Sequence, residues 1–96
     1  MIAKGSIVVA VKDQVSSDLA GEIVILDLTR GVYYGLDAVG AHIWALLQEP
    51  RSVEAIRDAI LAEYEVEPER CEHDLLALLG NLESAHLIEV SDAPGA

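Results

Sequence analysis

The sequence predicts an α+β domain in which a three-stranded antiparallel sheet is followed by three helices. Two patterns lead there. The first third of the chain alternates short apolar runs with turn residues, which is a strand signature. The remainder carries apolar stripes spaced three and four residues apart, which is a helix signature. Strands grouped before helices specify the α+β class. A length of 96 residues fits one domain. Residues 1–90 are expected to form it, and 91–96 to be a disordered tail.

Each element has its own justification. Ser6-Ile7-Val8-Val9-Ala10-Val11 is β-branched and reads as the first strand. Asp13–Gly21 is polar and is expected to be a loop. Glu22–Thr29 is the second strand, with Ile23, Ile25 and Asp27 on one face and Val24, Leu26 and Leu28 on the other. The wholly apolar face is expected to be the core side. Thr29-Arg30-Gly31 forms a tight turn, so a third strand, Val32-Tyr33-Tyr34, closes a hairpin. Asp37 is a good N-cap for the helix that follows at once. That helix carries Val39, Ile43, Leu46 and Leu47 on one face, with Trp44 at its margin and His42 turned away towards solvent. Ser52 caps the second helix, whose stripe is Val53, Ile56, Ile60 and Tyr64 with Ala59 beside it. Pro68 suits the first turn of the third, which runs to about Ser84. Its stripe is Cys71, Leu75, Leu78 and Leu82, bordered by Leu79. Leu87–Val90 is a short apolar tail that packs back. Three short helices beside a small sheet also resemble a winged helix-turn-helix.

Composition excludes several functions. Seventeen acidic residues against six basic ones give a net charge of −11. The six cations are scattered, whereas phosphate binding needs them clustered. Nucleic acid and anionic membrane are therefore poor partners, and a neutral or cationic partner is favoured. A winged-helix nucleic-acid binder is disfavoured on the same ground. No apolar run is long enough to span a membrane, and the N-terminus lacks a signal-peptide pattern. A single cysteine cannot form an internal disulfide, which fits a cytoplasmic location.

No catalytic or metal motif is present. Cys71, His73 and Asp74 point in different directions on a helix, and His42 and His86 are remote. Zinc ligand spacing is absent, so Cys71 is expected in the core and no cofactor is expected. Nor is there a phosphate loop, a G-x-S-x-G or an H-E-x-x-H motif. The acidic run Glu63, Glu65, Glu67, Glu69 reads as a solvated face and helix start. Tyr33 and Tyr34 point to opposite faces of a strand, so one enters the core and the other lies open beside the edge. An exposed edge strand next to an apolar helix flank, such as Leu76 or Leu79 offers, is a template for strand addition by a peptide.

The run Tyr33-Tyr34-Gly35-Leu36-Asp37-Ala38-Val39-Gly40-Ala41-His42-Ile43-Trp44, with Ser52–Ile56, Tyr64, Asp74 and Leu87-Ile88, resembles the PqqD-like family of leader-peptide recognition proteins, the RiPP recognition elements. The likeness spans about Ile23 to Val90 and is strongest to the stand-alone form of lasso-peptide pathways. Asp37 stands where the family often has Asn, and both cap helices. The resemblance implies a non-enzymatic protein that binds a precursor's leader as an added strand along the third strand, against the third helix. It implies a leader with an aromatic and a proline anchor. It maps the edge to Val32, Tyr33, Tyr34, Gly35 and Leu36, and the helix wall to Asp74, Leu75, Leu78, Leu79 and Leu82. It implies a leader protease, and a macrolactam cyclase, as partners. The alternative within the family is a chaperone serving a radical-SAM tailoring enzyme.

Overall fold

The computed structural model describes residues 2–91 apart from 13 and 29. The elements run β1 (Ile7–Ala10), β2 (Gln14–Leu19), β3 (Glu22–Asp27), β4 (Val32–Leu36), α1 (Ala38–Leu46), β5 (Arg51–Ser52), α2 (Val53–Glu63), α3 (Pro68–Ser84) and β6 (Ile88–Ser91). The class is α+β with three helices, as the patterning predicts. The strands form two antiparallel three-stranded sheets instead of one, in the orders β5-β1-β6 and β2-β3-β4.

Four strand-level expectations are corrected. First, the polar segment after residue 13 is a strand, not a loop: Gln14–Leu19 pairs along its whole length with β3. The turn between them is built on Ala20 and Gly21, both at positive φ, and the Asp18 carboxylate accepts from the Gly21 N–H at 3.2 Å. Second, β1 leaves the hairpin's sheet, because the apolar tail becomes β6 and pairs with it, Val8 facing Val90 and Ala10 facing Ile88. Third, the core face of β3 is the one that carries Asp27. Ile25 is fully buried and Asp27 is 6% exposed, whereas Leu26 and Leu28 lie open. Asp27 can face inward because it ends the strand at the turn, where its carboxylate accepts from the Arg30 N–H and its carbonyl from the Gly31 N–H. Fourth, Ser91 belongs to β6; the rest of the expected tail, 92–96, lies outside the described residues.

The helix caps fall where the sequence puts them. Asp37 and Ser52 accept from the third backbone N–H beyond them, and Pro68 opens α3. Two further donors of the first turn of α2, the N–H groups of Val53 and Glu54, are taken by the carbonyls of Ser6 and Lys4, so the N-terminal segment finishes that cap. An ion-pair chain reinforces the same junction: Glu72 on α3 lies 3.5 Å from Lys4 and 3.6 Å from Arg57 on α2.

The core joins Ile25 and Leu36 of one sheet, Val8 and Ile88 of the other, and the inner stripes of the helices. Those stripes comprise Ile43, Trp44 and Leu47; Val53, Ile56 and Ile60; and Cys71, Leu75, Leu79 and Leu82. Trp44 is thus core. His42 is half-buried instead of solvated, because its ring tilts against that of Tyr64 at 5.9 Å. No helix of the described residues is long and apolar enough to cross a membrane.

Ile56 has no exposed surface and sits where α2 meets the core. Ile56→Ala is expected to cost about 2–5 kcal/mol by urea unfolding, from lost transfer energy and the cavity left behind. A cost below about 1 kcal/mol would contradict this packing.

Candidate peptide-binding site

Strand β4 is laddered to β3 on one side, with Tyr34 facing Ile25 and Tyr33 facing Leu26. Among the described residues no strand pairs with its other edge, so a row of backbone donors and acceptors is left open there. Side chains alternate across the strand. Tyr34 is half-buried and packs on the core cluster, and Leu36 is buried. Tyr33 points to the opposite face and is 75% exposed. It continues a row with Leu26 and Val15, its neighbours across the three strands, all exposed.

The end of β4 passes directly into α1. The Asp37 Oδ1 accepts from the Gly40 N–H at 2.9 Å. A Cβ on Gly40 would stand 3.1 Å from the Leu36 Cβ, tighter than side chains tolerate without shifting. Glycine therefore permits the close approach of helix to strand.

Beyond this junction opens a cavity of about 500 Å³. Gly35 and Leu36 of β4, Val39 and Ile43 of α1, Ile60 of α2, Val66 of the connector, and Cys71, Leu75 and Leu78 of α3 form its walls, and Gly40 adjoins them. The polar groups among its lining residues are Asp37, Arg70 and Asp74. Arg70 and Asp74 pair across one helical turn at 3.7 Å, both well exposed.

The expected site residues divide into groups. Gly35, Leu36, Asp74, Leu75 and Leu78 come together around the cavity. Tyr34 lies beside it on the inner face. Val32 contributes backbone to the open edge. Tyr33 faces the other side of the sheet. Leu79 and Leu82 are fully buried and are not among the cavity's lining residues; Leu78 is half-buried and turned to the groove. Sequence reasoning missed Asp37, Val39, Gly40, Ile43, Ile60, Val66, Arg70 and Cys71 as walls. The one signal for them was Val66, a lone apolar residue inside an acidic stretch.

Cys71 is 7% exposed and shares the cavity with Asp74, one helical turn away, while His73 is exposed. Burial pushes its thiol above the ordinary value of 9.0; Asp74 and Glu72 raise it further and Arg57 opposes them. Among the described residues no group of three or more His, Cys, Asp or Glu could hold a metal ion. The geometry offers an open strand edge leading to an apolar cavity, which suits an extended peptide.

Residues 22–88 match the family described as Coenzyme PQQ synthesis protein D (PqqD). The chain belongs to the PqqD family. Among solved structures it is similar to TbiB1 in complex with the TbiA(beta) leader peptide. The two share 43% identity over 84% of this chain and 94% of that one, with a TM-score of 0.78. A lasso peptide synthetase B1 complexed with the leader peptide has the same PqqD-type fold, at 24% identity over 85% and 96% of the chains and a TM-score of 0.75. No curated protein matches. The match takes in β3, β4 and all three helices, the elements that build the edge and the cavity.

The folded state keeps the Cys71 proton that the unfolded chain gives up above about pH 9. Stability from this source is complete below that pH and is lost as pH rises through the folded-state value. The urea midpoint is expected to fall further between pH 8.5 and 10 for the wild type than for Cys71→Ala. At pH 8, iodoacetamide is expected to modify folded Cys71 at least tenfold more slowly than the chain in urea. Equal rates would mean that solvent reaches the thiol freely.

Proposed function

We propose that this chain is a non-enzymatic recognition module that captures the leader peptide of a ribosomally made precursor in lasso-peptide maturation. The carrying observation is the open β4 edge that runs into the apolar cavity. The 43% identity to a protein solved with a leader peptide supports the choice of ligand. The leader pairs with the backbone of Val32–Leu36 as a fourth strand of that sheet. Its inward side chains meet Leu36, Leu75 and Leu78, with Tyr34 and Asp74 flanking them. Leu79 and Leu82 back the wall from the core.

Two buried anchors contribute roughly 1.5–3 kcal/mol each. Ladder hydrogen bonds add to this, and ordering a disordered leader subtracts from it. The balance gives about micromolar affinity or better. Main-chain pairing adds affinity for any extended peptide, and the cavity adds both affinity and specificity through the anchors.

The leader is then presented to a leader protease and a macrolactam cyclase. The outer face of the sheet suits such a protein partner. Val15, Leu26 and Tyr33 form an exposed apolar row there, on a chain that is otherwise strongly acidic. Large exposed apolar patches mark interaction sites. A second reading has the family's own description behind it: delivery of a peptide to a radical-SAM tailoring enzyme in quinone-cofactor synthesis. The 43% identity to TbiB1, solved with a leader peptide, supports leader binding under either reading. The resemblance of the Tyr33–Trp44 run to the stand-alone form of lasso-peptide pathways favours the lasso one.

Fluorescence anisotropy with the labelled leader of the cognate precursor tests the proposal. Saturable binding is expected. Leu78→Asp is expected to weaken it by about thirtyfold or more, which is the loss of one buried anchor contact, about 2 kcal/mol. Tyr33→Ala should leave leader affinity within about twofold and slow leader removal by the protease. No binding up to about a hundred micromolar, or binding that Leu78→Asp leaves intact, would overturn the assignment of the site.

A further inference from the structure

The cavity's walls are apolar, but its surroundings are anionic on two sides. Asp37 stands at the strand–helix junction and Asp74 on α3, and both line the opening. The connector that supplies Val66 carries Glu65 and Glu67 on either side of it, with Glu63 before and Glu69 after; all four are exposed. Arg70 is the one cation among the lining residues. Its pair with Asp74 is 3.7 Å long, with the two side chains 80% and 67% exposed. Such a pair contributes little and exchanges partners readily.

We infer that the cavity selects leader segments in which a Lys or Arg lies within about three residues of the apolar side chain that fills it. This rests on the leader-binding reading above. The leader's cation takes Asp74 from Arg70 and lies against the Glu65–Glu67 edge. An acidic residue at the same place meets like charge on both sides. Next to an apolar wall the effective dielectric is lower than in water, so the attraction exceeds that of two fully solvated charges. The net charge of −11 acts in the same direction at longer range by steering a cationic segment inward. Arg70 therefore works against binding: it is a competitor for Asp74 that every cationic leader must displace.

Three fluorescein-labelled versions of the cognate precursor's leader test this, with the residues flanking the apolar anchor set to Lys, Gln or Glu. At 50 mM NaCl the Lys peptide is expected to bind the wild type about tenfold tighter than the Glu peptide, with Gln between. Raising NaCl to 500 mM should shrink that ratio to about twofold. The double variant Asp74→Asn, Glu67→Gln should shrink it at low salt as well. A control with the same net charge, Glu83→Gln with Glu89→Gln, alters the far end of α3 and β6 and should preserve it. Arg70→Gln should tighten the Lys peptide about twofold or more. A structural role for Arg70 would give the opposite sign. Equal affinity of the three peptides for the wild type, or an equal effect of the two double variants, overturns this inference and leaves leader binding standing. Failure of all three peptides to bind overturns the leader-binding reading itself.

Discussion

The cap at Asp37 fixes the geometry on which the site depends. Its carboxylate takes the Gly40 N–H, so the strand becomes a helix without an intervening loop. Gly40 lets that helix sit against Leu36 with no side chain between them. A loop at this point would add slack between β4 and α1. A larger residue at position 40 would push the helix off the strand. In either case the cavity would lose its fixed relation to the open edge. A peptide that adds to the edge can enter the cavity only if the two keep one register, and this junction keeps it.

Around that junction the fold divides its tasks. The β2-β3-β4 sheet offers an edge and an outer face. The helices turn their apolar stripes to the core and give the cavity only the ends of those stripes: Ile60 from α2, and Cys71, Leu75 and Leu78 from α3. The second sheet, β5-β1-β6, lies apart from the site and holds the base together. It does so through the β1–β6 ladder, and the segment leading into β1 adds backbone bonds in which the Lys4 and Ser6 carbonyls accept from the first turn of α2. Membership of the PqqD family covers the groove side of this division, since the matched residues 22–88 carry the open edge and the cavity walls.

The helices were legible in the sequence because each carried its own local signals: Asp37 and Ser52 as caps, Pro68 as a first-turn residue, and stripes of Leu and Ile at helical spacing. The strands were less so. Gln14–Leu19 has the composition of a loop, and its turn uses Ala20 at positive φ where Asn or Asp would have announced a hairpin. Its strand character comes from pairing with β3, a tertiary effect that composition does not carry. Asp27 misled the assignment of the core face. A carboxylate argues for solvent unless its acceptor role at a turn is known, and that role appears only once the hairpin is closed. The site was half legible. The edge follows from the strand pattern. The helix pattern offered Leu76 or Leu79 as the flank, neither of which lines the cavity, and the Leu75–Leu78 wall came from the family resemblance. Ile43, Ile60 and Val66 reach the cavity only because three helices converge, and no single periodicity encodes that convergence.

The pairing of β1 with β6 has a topological consequence. Ile7 faces Ser91 in that ladder, so the first and last strands of the domain lie side by side, in the sheet that takes no part in the groove. A domain whose two ends leave together can be spliced into another polypeptide without opening its fold. The groove would stay exposed, and the host would gain the whole domain through a single short pair of crossings. The architecture is therefore portable: the same fold can stand as a separate protein or as an insert within a longer chain.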